Sequence, residues 1–172
     1  MTPSRIVAFY SGEAPDDRGR SLQDMQSQSL DQLEYNHDYI QWLFPLPERS
    51  GANPRAPLLS APDIRAFADS AVLRDNLLRS LSVMLRFYGL ELVESPGGLE
   101  VRPGDTFAQR SEVWLTPYNH NFLRITRILR SLTLLGCAEH AAALFKCLES
   151  IYREHHRVIG PETFRYWTAA RS

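Results

Sequence analysis

A histidine and a glutamine one helical turn apart are the first residues whose types and spacing favour joint chemistry. His37 and Gln41 stand four positions apart in HDYIQWLFP, which the apolar spacing places near the end of a helix over 29–44. At that spacing both side chains extend from one helical face. An imidazole and an amide can together donate and accept hydrogen bonds. The sequence therefore predicts a ligand-binding position at His37 and Gln41.

The same two side chains have a purely structural interpretation. Leucines share their face, and Tyr35, Tyr39 and Trp42 cover the opposite one, so the predicted helix is apolar on both sides. Such a helix is normally buried. A core histidine held by a backbone carbonyl, with Gln41 bonded beside it, would satisfy that burial. Under either interpretation Tyr39, Trp42, Phe44 and Pro45 are structural residues of the motif.

A row of arginines marks a second unusual helix, predicted over 122–135. Arg124, Arg127 and Arg130 recur every third residue, opposite a face of isoleucine and leucine. Buried guanidinium groups need carboxylates or carbonyls as partners. We add Arg124 and Arg127, together with the nearby His120, to the candidate ligand-binding residues.

Leucines among these arginines indicate that the second helix is central rather than peripheral. Leu123 and Leu134 lie on the arginine side, so we expect apolar contacts all round the helix. The sequence therefore predicts two central buried helices, over 29–44 and 122–135. Three arginines on one helix can also follow phosphates, but no aromatic platform separates them, and we do not expect a nucleic acid partner.

No catalytic or metal-binding pattern accompanies these candidates. The sequence has no glycine-rich phosphate loop, no GxSxG and no paired-carboxylate motif. The adjacent His155 and His156 point to different sides of a helix, whereas a metal-binding pair needs i, i+4 spacing. Cys147 lies in an alanine-rich stretch typical of a core helix. We predict no catalytic residues, no cofactor and no metal; an enzyme using His37 or His120 as acid and base is the alternative.

Composition bounds the class of protein. The chain has 172 residues, is 44% hydrophobic and 23% charged, and carries a net charge of -1. These values suit one soluble domain over 1–172 and give no global electrostatic reason to bind nucleic acid or an anionic membrane. The N-terminus lacks the apolar run of a secretory signal, and no window approaches a membrane span. We expect a cytoplasmic protein.

The elements that must position these side chains are mostly helical. Capping boxes begin at Ser29 and Ser60, and Gly89 follows a helical leucine pattern where a C-terminal glycine is expected. Alternating residues around PGG predict a small hairpin near 90–102. Five of the eleven prolines lie within 45–62, so that segment cannot be regular structure. The fold class is therefore all-α, with about seven helices.

Three stretches together resemble one known family. HDYIQWLFP, NFLRITRILRSL followed by LG, and MLRFYG are similar to the conserved N-terminal domain of the opioid growth factor receptor family. The resemblance covers roughly residues 30–136 and is that of a compact bacterial-type relative. Animal receptors of this family are associated with the pentapeptide met-enkephalin and with growth regulation at the nucleus. The resemblance implies a peptide-binding module without catalysis.

From the residues and this resemblance we expect a non-enzymatic binding module. Its ligand would be a peptide or a small molecule. A structural or protein-interaction domain that works with a protein partner is the alternative to a ligand-binding one.

Overall fold

The computed structural model describes residues 2–172, in which ten helices and a two-stranded antiparallel sheet follow one another along the chain. The Cα positions form two compact units, the first ending at Ser80 and the second covering Leu81–Ser172. The mostly helical class and the hairpin are confirmed, whereas the expected number of seven helices is wrong. One domain over 1–172 stays a prediction.

The first unit contains five short helices and the start of a longer one. Its elements are α1 (Arg5–Tyr10), α2 (Leu22–Gln26), α3 (Leu30–Tyr35), α4 (Ile40–Leu43), α5 (Ala61–Asp69) and the first half of α6 (Ala71–Tyr88). Serine caps begin several of them. The boxes predicted at Ser29 and Ser60 are both confirmed, because each serine and the side chain three residues later bond each other's backbone N–H.

Aromatic rings form the centre of the first unit. The Phe9 ring centroid lies 5.0 Å from that of Trp42, and the Tyr10 centroid lies 5.2 Å from that of Phe67. The Tyr10 hydroxyl donates to the Leu43 carbonyl. Aromatic contacts of this kind add to the burial of large apolar surfaces. The short helices are therefore held by tertiary packing, since isolated helices of this length are unstable in water.

The single helix predicted over 29–44 is wrong. The chain leaves helical geometry at Asn36 (φ −81°, ψ 135°) and re-enters it only at α4. In a continuous helix the Leu33 carbonyl would accept the His37 N–H, but here it accepts the Tyr39 hydroxyl at 2.7 Å. The interruption is further held by Asp38, whose carboxylate pairs with Arg20. The Tyr39 bond is local, but Arg20 lies 18 residues from Asp38, so helical spacing within 29–44 does not reveal the break.

The proline-rich segment after α4 has no regular structure, as predicted. It is nevertheless anchored: Leu59 N–H bonds the Leu46 carbonyl at 3.0 Å, and the Asn53 side chain bonds the Asp38 carbonyl at 3.0 Å. Leu59 is buried. A long connection in a small protein is commonly packed in this way.

The second unit contains a hairpin and four helices besides the end of α6. Gly89 terminates α6 with φ +75°, as its predicted position requires. The elements that follow are β1 (Leu90–Ser95), β2 (Gly98–Pro103), α7 (Phe107–Trp114), α8 (Asn121–Leu134), α9 (Ala138–Ile159) and α10 (Pro161–Ala169). Helix α9 packs against β2, α8 and α10. Of the helices in residues 2–172, none combines the length and apolar character needed to cross a membrane.

Two buried tryptophans join these elements through hydrogen bonds as well as packing. The Trp114 indole N–H donates to the Tyr88 carbonyl at 3.1 Å, which fixes α7 to the end of α6. The Trp167 indole N–H donates to the Phe122 carbonyl at 3.1 Å, which fixes α10 to the start of α8. Both rings are fully buried. A satisfied N–H removes the usual penalty of burying indole.

Candidate functional site

The two polar residues of the first motif occupy different environments. His37 lies in the interruption between α3 and α4 and is exposed, whereas Gln41 is only 3% exposed. The predicted common helical face is therefore wrong, although the residues remain close. The Gln41 Nε2 donates to the His37 backbone carbonyl at 3.3 Å and to Ser50 Oγ at 3.1 Å. The bonds of the Gln41 amide therefore involve the backbone of His37 and not its imidazole ring.

The apolar residues of the motif are buried on all sides. Tyr39, Phe44 and Leu43 are 0% exposed and Trp42 is 1% exposed, and Pro45 is buried too. The two-sided burial expected from the sequence holds for Tyr39 and Trp42 despite the break in the helix, but it is wrong for Tyr35, which is 79% exposed. The Gln41 Oε1 and the Trp42 Nε1 are buried without a hydrogen-bond partner. Such atoms are uncommon, because burying a polar group without a hydrogen bond lowers the stability of the fold by about 1–3 kcal/mol.

The arginine row on α8 is unevenly covered. Arg124 is 6% exposed, and its Nη1 donates to Asn121 Oδ1 at 3.2 Å. Arg127 and Arg130 are partly exposed. Leu123 is 70% exposed, so the expectation of an apolar surface all round this helix is wrong. A lone exposed leucine is ordinary on a protein surface.

His120 precedes α8 and is exposed. Its Nε2 lies 3.5 Å from the Asn121 side-chain nitrogen. The five candidates therefore divide between the units, His37 and Gln41 in the first and His120, Arg124 and Arg127 in the second. Their common role in ligand binding stays a prediction of the sequence.

A groove in the second unit is a candidate site that the sequence did not predict. It has a volume of about 570 Å³ and lies between β2 and α9. One wall is a single face of α9, because the contributing residues are spaced three or four apart. They are Ala143, Lys146, Cys147, Ser150, Ile151 and Glu154.

The other wall of the groove is the edge of β2. Every residue from 97 to 103 lines it. The side chains of alternate residues in a strand point to opposite faces of the sheet. A cavity lined by consecutive residues therefore lies along the edge of the strand, where both faces can be reached. Within residues 2–172 the sheet has two strands, and β1 occupies the other edge of β2. The groove therefore runs along a strand edge that has no pairing strand.

The groove has an apolar floor and a charged rim. Val101, Cys147 and Ile151 are buried, whereas Lys146 and Glu154 are exposed. Within the described residues neither of these two charges has an ion-pair partner. An apolar cavity of 300–1,000 Å³ with a few placed polar groups is typical of ligand sites.

The thiol in this floor is not activated for catalysis. Burial, together with the negative charge of Glu100, raises the pKa of Cys147 to about 12. The thiolate is the nucleophilic form, and this side chain stays protonated at neutral pH. Cys147 therefore supplies apolar surface to the groove, in agreement with its interpretation as a core residue.

A second, shallower cavity extends the groove past Lys146. It measures about 400 Å³ and is lined on the helix by Glu139 and Ala142, and on the hairpin by Gly98 and Leu99. Residues 139–154 of α9 span about 22 Å at 1.5 Å per residue. The combined groove is long enough for about seven residues of extended chain.

One signal in the sequence was available for this groove. Lys146, Ser150 and Glu154 form a polar row beside the apolar row of Cys147 and Ile151 on one helix. That arrangement is typical of any helix at the surface, so it does not distinguish a groove from solvent. Only the packing of the hairpin against α9 makes the site.

Known protein sequences match most of this chain. The model of the opioid growth factor receptor conserved region matches residues 7–171. The mouse opioid growth factor receptor is 43% identical over 118 residues, 69% of this chain and 18% of the relative. The rat receptor is 38% identical over 144 residues, 81% of this chain and 24% of the relative. No solved structure matches.

A mostly helical domain with a small two-stranded sheet is thus the class that the fold defines. The chain belongs to the opioid growth factor receptor family. It is also similar to the mouse opioid growth factor receptor-like protein 1, with 39% identity over 116 residues, 67% of this chain and 24% of the relative. The chain spans less than a quarter of the length of these curated relatives.

Proposed function

We propose that this chain is a non-enzymatic module that binds a peptide in the groove between β2 and α9. The observation that carries the proposal is the unpaired edge of β2 facing a charged helix across an apolar floor. The relatives are named as receptors for a growth factor, which supports a peptide ligand. The inert thiol in the floor supports binding without catalysis.

Filling the groove should abolish peptide binding without unfolding the chain. Ser150 is exposed and lines the groove, so Ser150→Trp places a large ring in it at little cost to packing. Heptapeptides selected from a display library on the wild-type chain should lose at least about tenfold in affinity on this variant, about 1.4 kcal/mol. Fluorescence anisotropy measures the change.

Arg157→Trp is the matched control, because Arg157 is exposed on the same helix outside the groove. Its peptide affinities should equal those of the wild type. Selection of no peptide, or equal binding by Ser150→Trp and the wild type, would remove the proposal.

A second ligand position at the first motif is favoured by one observation. The Gln41 Oε1 is buried without a partner, and a ligand donor would satisfy it. His37, in the same unit, accompanies it as a prediction of the sequence; His120, Arg124 and Arg127 lie in the second unit and stay separate predictions of the sequence.

Replacing Gln41 by leucine tests this second position. The change removes the unmet acceptor together with the bonds to Ser50 and to the His37 carbonyl, so we expect a loss of stability of only about 1 kcal/mol. Thermal-shift screening of peptides and metabolites should yield a compound that stabilises the wild type but stabilises Gln41→Leu and His37→Ala much less. A compound that shifts all three equally would argue against this position.

A further inference from the structure

The geometry points to strand addition as the binding mode: an extended peptide pairs its backbone with the free edge of β2 and lays a glutamate and a lysine, four residues apart, against Lys146 and Glu154. This inference rests on the proposed peptide-binding function and specifies its ligand. Three features of the groove carry it, namely its edge, its length and its charges.

The edge supplies the backbone partners. β2 pairs with β1 from Gly98 to Pro103, opposite Ser95 to Leu90. In an antiparallel pair about half of the N–H and C=O groups of each strand point away from its neighbour. On this geometry those of β2 face the groove, since every residue of the strand lines the cavity, although Pro103 offers a carbonyl and no N–H. An exposed strand edge of this kind accepts an added peptide strand.

The helix supplies the spacing of the peptide's charged residues. Lys146 and Glu154 are eight residues apart on α9, which corresponds to about 12 Å along the helix axis. An extended chain covers that distance in about four residues. Residues four apart in a strand point to the same face, so one peptide face can meet both charges.

The charges on α9 determine which peptide side chains complement the groove. Within residues 2–172 Lys146 and Glu154 have no ion-pair partner, so an acidic and a basic peptide side chain would complement them. The floor between them consists of Val101, Cys147 and Ile151, which are buried and apolar. The peptide residue midway between the two charges is therefore apolar, and valine is a suitable choice because it also favours extended geometry.

The probe that follows is the heptapeptide Thr-Glu-Thr-Val-Thr-Lys-Thr, acetylated, amidated and labelled with a fluorophore. Two derivatives carry the same number of backbone N-methyl groups, one at the second, fourth and sixth residues and the other at the third, fifth and seventh. In an added strand only one of these sets of N–H groups points at β2. One derivative should therefore lose affinity by about tenfold or more and the other should keep most of it.

Exchanging the two charges in the protein provides a second test of strand addition. The double variant Lys146→Glu, Glu154→Lys should weaken the probe about tenfold at low salt and favour a peptide with its glutamate and lysine exchanged. Arg157→Glu, outside the groove, should alter neither peptide. Since Lys146 is the only lysine in the chain, carbodiimide coupling of the peptide's glutamate should cross-link to that side chain.

The outcomes separate this inference from the broader proposal. Equal losses for both methylated peptides, or no binding of the probe while library peptides still depend on the groove, would overturn strand addition and leave peptide binding standing. Failure of library peptides as well would remove both. A wild-type chain that sediments as a dimer, and that the probe converts to monomer, would identify a second copy as the occupant and overturn the inference.

Discussion

Replacing Trp42 by alanine should lower the free energy of unfolding by about 3–5 kcal/mol, the range for removing a large buried aromatic side chain. The indole is 1% exposed and packs against the Phe9 ring, with their centroids 5.0 Å apart. The Arg5 guanidinium carbon lies 5.2 Å from the indole centroid, so a cation–π contact is lost as well. Urea unfolding followed by circular dichroism measures the loss.

Two further variants identify the cause of this loss. Trp42→Phe keeps most of the ring and removes an indole N–H that has no acceptor, so its cost should stay below about 2 kcal/mol. Tyr35 is 79% exposed, and Tyr35→Ala should change stability by at most about 0.5 kcal/mol. A cost below about 1 kcal/mol for Trp42→Ala would contradict the burial of the motif on both sides.

Replacing Gly89 by alanine should destabilise the second unit by about 2–5 kcal/mol, from two additive causes. The backbone there has φ +75°, and a side chain in left-handed geometry costs about 1–2 kcal/mol. A Cβ atom at this position would lie 2.7 Å from the Phe107 Cα and 2.9 Å from the Arg110 Cβ. Crowding against a backbone atom that cannot rotate away adds about 1–3 kcal/mol.

The variant Gly160→Ala serves as a control that separates the backbone cost from the cost of crowding. Gly160 ends α9 with φ +83° and ψ 152°, a region used almost only by glycine, but a Cβ there meets nothing within 4 Å, so Gly160→Ala should cost only the conformational share, about 1–3 kcal/mol. Because Phe107 also lines the groove, Gly89→Ala should weaken peptide binding whereas Gly160→Ala should not. Equal stability losses in the two variants would show that α7 moves aside without cost.

The candidate site was only partly accessible from the sequence. The sequence predicted that the Gln41 and His37 side chains share a helical face, whereas Gln41 bonds the His37 backbone carbonyl, because the helix is interrupted at Asn36. The groove escaped prediction for a different reason. Its two walls, β2 and α9, lie more than 30 residues apart in the chain, and no local pattern reports that they pack together.

Features set by neighbouring residues were determined by the sequence itself. The capping boxes at Ser29 and Ser60, the stop at Gly89 and the hairpin around residues 96–97 each depend on bonds within a few residues or on backbone freedom at one position. Family membership likewise follows from short motifs. The structure contains these features because contacts between neighbouring residues stabilise them, whatever the distant parts of the chain do.

Only the tertiary structure shows where sequence patterns that span many residues do not predict the observed structure. The helical spacing over 29–44 is continuous, but the chain leaves helical geometry at Asn36, and the distant Arg20 guanidinium bonds Asp38 in the interruption. The polar row on α9 becomes one wall of a groove only because the hairpin packs beside it. A weak local preference for helix is worth tenths of a kcal/mol per residue, so a few long-range hydrogen bonds and buried contacts override it.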